Sequence, residues 1–300
     1  MKDFEQLSDT HREDVQGIIP EKWSKLVEIA TKPKRLFRKY VRVDTTLLNK
    51  EGDIVHIPRR GEVTSDDVSE GGTLVPQVLN YSTALVLEPS EHGCAVKISS
   101  QAIERGLVNL LEDATEELSS ALADEEDTDI ATVLSASTSN QLYGGNATGT
   151  ADLEAGDVLT PELLTKAVRE IRKNDYAPNV AFVAPEQQYC LGTCDQFTNA
   201  ATWGDKTVQK TGYVPSWMGL VIETSTNVLS GLGGISTAIA YHTVIVCDSR
   251  RAGCISVKRN PSIARDYDPL ERKHTIACTM DRDQGLLNDA AVCSIIVSDA

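Results

Sequence analysis

The stretch from Ser100 to Ala136 decides how the rest of the chain is interpreted. It reads SQAIERGLVNLLEDATEELSSALADEEDTDIATVLSA. Its apolar residues recur at gaps of three and four: Ile103, Leu107, Leu110, Leu111, Ala114, Leu118, Ala121, Leu122, Ile130, Val133 and Leu134. This spacing places most of them along one side of a helix. No proline interrupts the stretch, so it predicts a single helix of roughly 50 Å at ~1.5 Å per residue.

The other side of this predicted helix is strongly acidic. Its ten acids face only one cation, Arg105, and are Glu104, Glu112, Asp113, Glu116, Glu117, Asp124, Glu125, Glu126, Asp127 and Asp129. Like charges three or four residues apart destabilise an isolated helix. Two interpretations stay open: a solvated face, or a spine that meets a basic segment of its own or another chain.

A basic segment lies earlier in the chain. Its cations are Lys22, Lys25, Lys32, Lys34, Arg35, Arg38, Lys39 and Arg42, opposed only by Glu21 and Glu28. In a protein of net charge −15, such a segment is a natural partner for the acidic helix. A plain basic surface patch and a nucleic-acid-binding arm are the alternatives.

Residues 51–98 have the pattern of a β excursion. Two extended segments, GDIVHIPRRGEV and TLVPQVLNYSTALVLEP, flank a polar stretch that contains SDDVSEGG. A long hairpin is marginally stable alone. We therefore expect it to lie against another subunit.

A domain boundary is predicted beyond the long helix, where the chain is rich in glycine and has few apolar residues. This segment reads STSNQLYGGNATGTADLEAGD. Thr160 and Pro161 then predict a helix start. The apolar run NVAFVAP predicts a buried strand, and PEQQYCLGT predicts a short helix. Residues 160–192 thus form an α–β–α unit, which strand-like segments follow.

Composition limits the class of protein. The hydrophobic content of 41% fits a folded chain, and the apolar runs are too short to span a bilayer. The polar N-terminus lacks the pattern of a signal peptide, which predicts a protein made and kept in the cytoplasm. The net charge of −15 disfavours tight binding to nucleic acid by the whole surface.

No pattern typical of a catalytic or metal site is found. The sequence has no GxSxG elbow, Walker loop, HExxH, GxGxxG or EF-hand loop, and its five histidines are dispersed. The seven cysteines are expected to be free, small, mostly buried residues. We predict no catalytic residues, no cofactor and no metal. The acidic run from Asp124 to Asp129 has helical spacing, which favours a charged face over a cation site.

The order of these parts resembles the major capsid protein of tailed double-stranded DNA viruses, the Hong Kong 97-type coat fold. IPRRGEVTSDDVSEGG is similar to the extended loop, or E-loop, of that family, and LVNLLEDATEELSSALADEEDTDIATVL to its spine helix. The most specific stretch runs from Asn179 to Val228, where a strand ends in a proline, a helix follows, and Gly219 precedes Val221 and Ile222.

The resemblance implies an α+β fold with five segments: an N-terminal arm (1–49), a β-hairpin E-loop (50–96), a peripheral or P-domain with the spine helix (97–150), an axial or A-domain (151–249), and return strands of the P-domain (250–300). It implies that Lys34, Arg35 and Arg38 of the arm contact Glu116 and Glu117 of the helix across subunits. At the E-loop it implies contacts by Arg59, Arg60, Glu62, Asp66, Asp67 and Glu70.

The function implied is a coat protein that self-assembles into pentamers and hexamers of an icosahedral head in the virion. Such a head forms in the host cytoplasm and encloses DNA without sequence-specific binding. A separate scaffolding protein, a portal and a cement protein are its implied partners, and no membrane is involved. No lysine lies between Glu51 and Val96, so no E-loop isopeptide crosslink is expected. An encapsulin-like nanocompartment shell and a cytoplasmic α/β enzyme with a dispersed site remain alternatives.

Overall fold

The computed structural model describes residues 35–106, 109–194, 213–234 and 238–299. Within these ranges the chain has the α+β composition expected from the sequence. The helices are α1 (Ser100–Arg105), α2 (Leu110–Ser135), α3 (Pro161–Lys173) and α4 (Pro185–Thr193). The strands are β1 (Arg42–Asp44), β2 (Val55–Arg60), β3 (Tyr81–Leu87), β4 (Ser90–Ser99), β5 (Gln141–Tyr143), β6 (Val180–Val183), β7 (Ser216–Trp217), β8 (Leu220–Thr224), β9 (Ser230–Gly233), β10 (Ile239–Cys247), β11 (Gly253–Asp268), β12 (Lys273–Leu286) and β13 (Val292–Ser298).

The prediction of one unbroken helix from residue 100 to 136 is wrong. Helix α1 is capped by Ser99, whose hydroxyl accepts the Ala102 N–H, and it ends at Gly106. The backbone of Gly106 is extended (φ −65°, ψ 140°) and so interrupts the helix. Glycine is a poor helix former, which favours a break at this position. The long spine is α2 alone, with 26 residues and a length of about 39 Å.

The first sheet has the order β1-β11-β12-β4, with antiparallel pairs except for the parallel pair β1 and β11. Helix α2 crosses its face. The core between them includes Leu118, Leu122, Ile130 and Leu134 from the helix, with Ile255, Val257, Ile276 and Met280 from the sheet. This packing explains why the apolar stripe of α2 repeats at helical spacing.

The second sheet has the order β5-β13-β10-β6-β8-β7, with β9 paired to β10. Helix α3 starts where the sequence predicts, because Thr160 caps it and Pro161 occupies its first position. Its apolar side packs on this sheet through Leu164, Val168 and Ile171. The predicted α–β–α unit is therefore built as α3, β6 and α4.

The domain boundaries remain predictions, and the sheets show how the segments combine. Strand β13 lies in the segment 250–300 that was expected to return to the P-domain, yet it pairs with β10 of the segment 151–249. Strand β5, from the segment 97–150, pairs with β13. The second sheet thus draws its strands from three of the sequence segments.

The β excursion is a hairpin with a shorter paired part than the sequence suggests. Strands β2 and β3 pair from Val55↔Leu87 to Arg60↔Tyr81, with an irregularity at Pro58. Residues 61–80 belong to no strand. Glycines and prolines weaken strands, and Gly61, Gly71, Gly72 and Pro76 all lie in this part.

Candidate functional site

The candidate functional surface begins at the end of the β2–β3 hairpin. The N–H of Gly61 donates to the carbonyl of Asn80 at 2.7 Å, which closes the base of the loop 61–80. The predicted contact residues here are all exposed: Arg59, Arg60, Glu62, Asp66, Asp67 and Glu70. Among the described residues, neither arginine joins an ion pair. Both cations are therefore available to another molecule.

The same loop exposes large apolar side chains. Leu74 and Val75 are each 75% exposed, Val78 is 78% exposed, and Tyr81 at the start of β3 is 66% exposed. Exposed apolar side chains gathered in one segment mark interaction sites in soluble proteins. The loop thus combines an apolar centre with charged neighbours, which is the usual composition of a protein interface.

The hairpin is fixed at its base to the first sheet. Val55, Ile57 and Leu87 form a small core with Leu47 and Cys254. Lys258 Nζ lies 2.7 Å from Asp53 Oδ1, and the hydrogen bond from this lysine lowers the pKa of Asp53 below its ordinary value. The hairpin is therefore held where it leaves the body of the protein, while its tip extends away.

The arm meets helix α2 within the same chain. Arg35 Nε lies 2.7 Å from Asp124 Oδ1, and its Nη2 donates to the carbonyl oxygen of Ser120 at 3.0 Å. Arg38 Nη1 donates to Glu126 Oε2 at 2.6 Å. The cationic partner that the acidic helix was inferred to need is thus found inside the subunit. Lys34, the third predicted arm residue, lies outside the described residues.

A buried carboxylate joins the arm to two other elements. Asp127 Oδ1 accepts the backbone N–H groups of Leu36 (3.1 Å) and Phe37 (2.8 Å). Its other oxygen accepts from Asn227 Nδ2 at 3.2 Å, in the turn after β8. The ring of Phe37 stacks on Phe182 of β6, with centroids 4.2 Å apart. One short segment of the arm therefore connects the spine helix to the second sheet.

A second charge network lies on another side of α2. Arg282 of β12 is fully buried, and its Nη2 lies 2.7 Å from Asp129 Oδ2. Its Nη1 donates to Gln284 Oε1 at 2.9 Å. His92 Nδ1 lies 2.9 Å from Glu125 Oε1. The network ties β4 and β12 of the first sheet to the helix.

His92, Glu125 and Asp129 could in principle hold a cation, since their ligand atoms lie within 4.8 Å of one another. Arg282 already places a buried positive charge beside two of them. A guanidinium at this position neutralises the carboxylates and opposes a second cation. We interpret the group as a structural charge network.

The described arm residues Arg35 and Arg38 contact other residues of α2 than those that the sequence suggested. Glu116 and Glu117 are exposed on the first half of α2. Arg35 and Arg38 instead contact residues about one to three turns later, at Ser120, Asp124 and Glu126. A role for Glu116 and Glu117 between subunits stays a prediction.

Glu126 and Asp127 hold the arm on α2, and sequence reasoning placed both on the wrong face. Both are buried rather than solvated, at 5% and 2% exposure. The sequence did contain a signal. Leu118, Leu122, Glu126, Ile130 and Leu134 follow one another at intervals of four residues, so Glu126 occupies a position within the apolar stripe.

Three buried cysteines offer no reactive thiolate. All seven lie within the described residues and are free, as expected, and five are buried. Burial raises the pKa of Cys254 to about 11 and those of Cys247 and Cys293 to about 12. These thiols stay protonated at neutral pH, which disfavours nucleophilic or metal-binding roles.

Comparison with known families decides the class of protein. A sequence model of the family described as phage capsid protein matches residues 85–270. The chain belongs to the phage capsid protein family. The match covers the elements from β4 to β11, including the whole spine helix. A comparison with curated protein sequences gives no match.

Solved structures show the fold. A Mycobacterium phage Che8 chain has 19% sequence identity and a TM-score of 0.73, with 93% of this chain and 97% of that chain covered. The capsid structure of cyanophage P-SCSP1u gives 14% identity and a TM-score of 0.77, covering 99% and 97%. The capsid of Ralstonia phage GP4 gives 16% and 0.73, covering 98% and 99%. The chain has the Hong Kong 97-type capsid fold.

The family match settles the main functional question. The chain is a major capsid protein, a structural subunit that forms part of the virion and assembles with copies of itself in a shell. The nanocompartment and enzyme alternatives are not favoured. Among the described residues, no helix is long and apolar enough to cross a bilayer.

Proposed function

We propose that this capsid protein builds a closed icosahedral head around double-stranded DNA, with the E-loop as its main contact between neighbouring subunits. The observation that carries this proposal is the exposed apolar tip of the hairpin. Leu74, Val75 and Val78 are each at least 75% exposed. A surface of this kind is stable when another copy covers it, and a closed shell repeats that contact at every subunit.

The charged residues of the loop would set the orientation of the contact. Arg59 and Arg60 carry two cations at the end of β2, and Glu62, Asp66, Asp67 and Glu70 carry four anions beyond it. Exposed ion pairs contribute roughly 0.2–1 kcal/mol each. The apolar tip therefore supplies most of the affinity, and the charges select the register in which two copies meet.

The arm is the second element of the proposed assembly. Because Arg35 and Arg38 pair with α2 of their own subunit, we place them as an anchor that fixes where the arm leaves the body. Lys34 would lie just before this anchor. Glu116 and Glu117, exposed on the same helix, would then face basic residues of an arm from the same or an adjacent copy.

The chain itself would act by assembly rather than catalysis. The buried thiols are held in their protonated form, and the charged residues described above serve structural networks. The net charge of −15 favours enclosing DNA without tight binding to it. A separate scaffolding protein, a portal and a cement protein would complete the head, and pentamers and hexamers would be its building units.

Negative-stain electron microscopy after size-exclusion chromatography tests the proposal. The full chain is expected to give hollow icosahedral shells, or rings of five and six subunits.

The double variant Arg59→Glu/Arg60→Glu should keep the far-ultraviolet circular dichroism of the subunit but lose most of the particle yield. The matched control is Arg59→Lys/Arg60→Lys, which keeps the charge. Normal particle yield from the double glutamate variant would refute the role of these arginines, and a monomer at high concentration with added host lysate would refute shell assembly.

A further inference from the structure

The base of the E-loop contains a close packing contact at a glycine. Gly285 of β12 lies opposite Cys254 of β11. A Cβ atom added at Gly285 would lie 2.7 Å from Leu85 Cδ1 and 3.0 Å from Leu87 Cδ2. Such distances are shorter than a normal carbon–carbon contact of about 3.5–4 Å. The two leucines of β3 therefore sit in a notch that the missing side chain leaves.

The two leucines differ in their freedom to move. Leu87 is 1% exposed and belongs to the small core with Val55 and Ile57. Leu85 is half-buried at the edge of that core. If the notch were filled, Leu85 would have to move furthest because its Cδ1 is nearest, and the buried Leu87 would have to give by a few tenths of an ångström. A tilt of strand β3, and with it the hairpin, away from β12 would make this room.

Two polar contacts hold the two ends of the same hairpin where it joins the first sheet. Before β2, Asp53 pairs with Lys258 of β11. After β3, the N–H of Glu88 donates to Asp283 Oδ2 of β12 at 2.8 Å. The Asp53 side chain is 85% exposed, so solvent screens its ion pair. The notch and the buried leucines are consequently the stronger constraint on orientation.

We propose that Gly285 is a positioning residue that sets the angle at which the E-loop leaves the first sheet, because it seats Leu85 and Leu87 against β12. This inference rests on the proposed function of the E-loop in subunit contact. A fixed angle at the base directs the exposed tip toward one position on the next subunit. A change in this angle alters the orientation of neighbouring subunits relative to each other, and therefore the curvature and diameter of the shell.

The test uses the full chain with four variants: Gly285→Ala, Leu85→Ala, the double variant that combines them, and Gly149→Ala. Gly149 is the matched control because an added Cβ there meets nothing within 4 Å. The double variant removes the Leu85 atoms, which include the one nearest to the new Cβ. Two readouts are compared: amide hydrogen exchange across residues 55–60 and 81–87 of unassembled subunits, and shell diameter by electron microscopy.

Gly285→Ala is expected to speed exchange in the hairpin strands by about tenfold or more and to shift or broaden the shell diameter. The double variant should return both readouts toward those of Leu85→Ala alone, and Gly149→Ala should match the parent chain. If Gly285→Ala fails to fold, recovery of folding in the double variant supports the proposal. Exchange and diameter equal to the parent in Gly285→Ala, or no recovery in the double variant, would overturn it.

The two proposals fail in different ways. If the parent chain forms no shells, the proposed assembly by the E-loop is wrong, and hydrogen exchange in the unassembled subunit still decides whether Gly285 positions the hairpin. If shells form and Gly285→Ala changes neither exchange nor diameter, the positioning role alone is wrong.

Discussion

The carboxylate of Asp127 accepts the backbone N–H of Phe37 at 2.8 Å, although this aspartate lies in the middle of a long helix and is 2% exposed. A buried carboxylate is stable only when hydrogen-bond donors surround it. The arm and the turn after β8 supply these donors. The spine helix, the arm and the second sheet are therefore joined at one acid.

Replacing Asp127 tests this junction. Asp127→Asn removes the charge and turns one acceptor into a donor, which leaves an arm N–H or Asn227 without its partner. We expect the free energy of unfolding to fall by about 2–3 kcal/mol, since hydrogen bonds to charged groups contribute roughly 1.5–3 kcal/mol. Urea unfolding of unassembled subunits, followed by circular dichroism, measures the change.

Asp124→Asn is the control for this variant. Asp124 lies on the same helix and pairs with Arg35 near the surface, so the loss should be under about 1 kcal/mol. Equal losses in the two variants would show that Asp127 is no more than another surface acid.

The buried Arg282 leads to a second prediction about the helix. Arg282→Met keeps most of the buried volume but leaves Asp129 and Glu125 without the cation that lies between them. Removing one partner of a buried pair is costly, and Asp129 is about one-third exposed, so we expect a loss of about 2 kcal/mol. The double variant Arg282→Met/Asp129→Asn should be destabilised by less than the sum of the single changes. Strict additivity in a denaturation cycle would contradict a direct interaction.

The sequence predicts the order of elements well because local rules determine them. Thr160 and Pro161 fix the start of α3, and the apolar periodicity of α2 identifies the side that packs on the first sheet. The hairpin and the loop at its end follow from alternating residues and glycines. These features depend on neighbours a few residues apart, which a single sequence contains.

Other features depend on contacts between distant residues. Nothing close to Arg282 indicates that it is fully buried beside Asp129, because its partners lie on α2 more than 150 residues earlier. The seating of Leu85 against Gly285 is of the same kind. The break at Gly106 was predictable only as a weak point, since one glycine lowers helix stability by about 1 kcal/mol. The burial of Glu126 could be predicted only by continuing the apolar stripe of α2 through an acidic position.

Asp289 makes stability depend on pH. Partial burial favours its neutral form, but hydrogen bonds from the hydroxyl of Ser139 and the N–H groups of Ser139 and Thr138 outweigh this effect and lower the pKa of Asp289. Because the folded-state pKa lies below the ordinary value of 3.8, the stabilisation is present above that pH. It is lost as the pH falls through the folded-state pKa.

Asp289→Asn should therefore lower the free energy of unfolding by ~1 kcal/mol at pH 7, with a difference from the parent that shrinks in acid. The measurement is the urea midpoint of unassembled subunits from pH 7 down to about pH 3. Asp67→Asn, in the exposed loop, is the control and should match the parent at every pH. A difference for Asp289→Asn that stays constant with pH would contradict the role of the charge.

The last prediction concerns how the shell is held together. An isopeptide crosslink from the E-loop requires a lysine, and no lysine lies between Glu51 and Val96. Lys97, the next one along the chain, lies on β4, where its Nζ is 3.9 Å from Glu271. Purified particles boiled in detergent should therefore give a single band at the mass of the unassembled subunit. The same band should appear with and without a reducing agent, because all seven cysteines are free. A ladder of linked subunits that survives reduction would show a covalent bond between subunits from another position. The shell would then not be held together by non-covalent contacts alone.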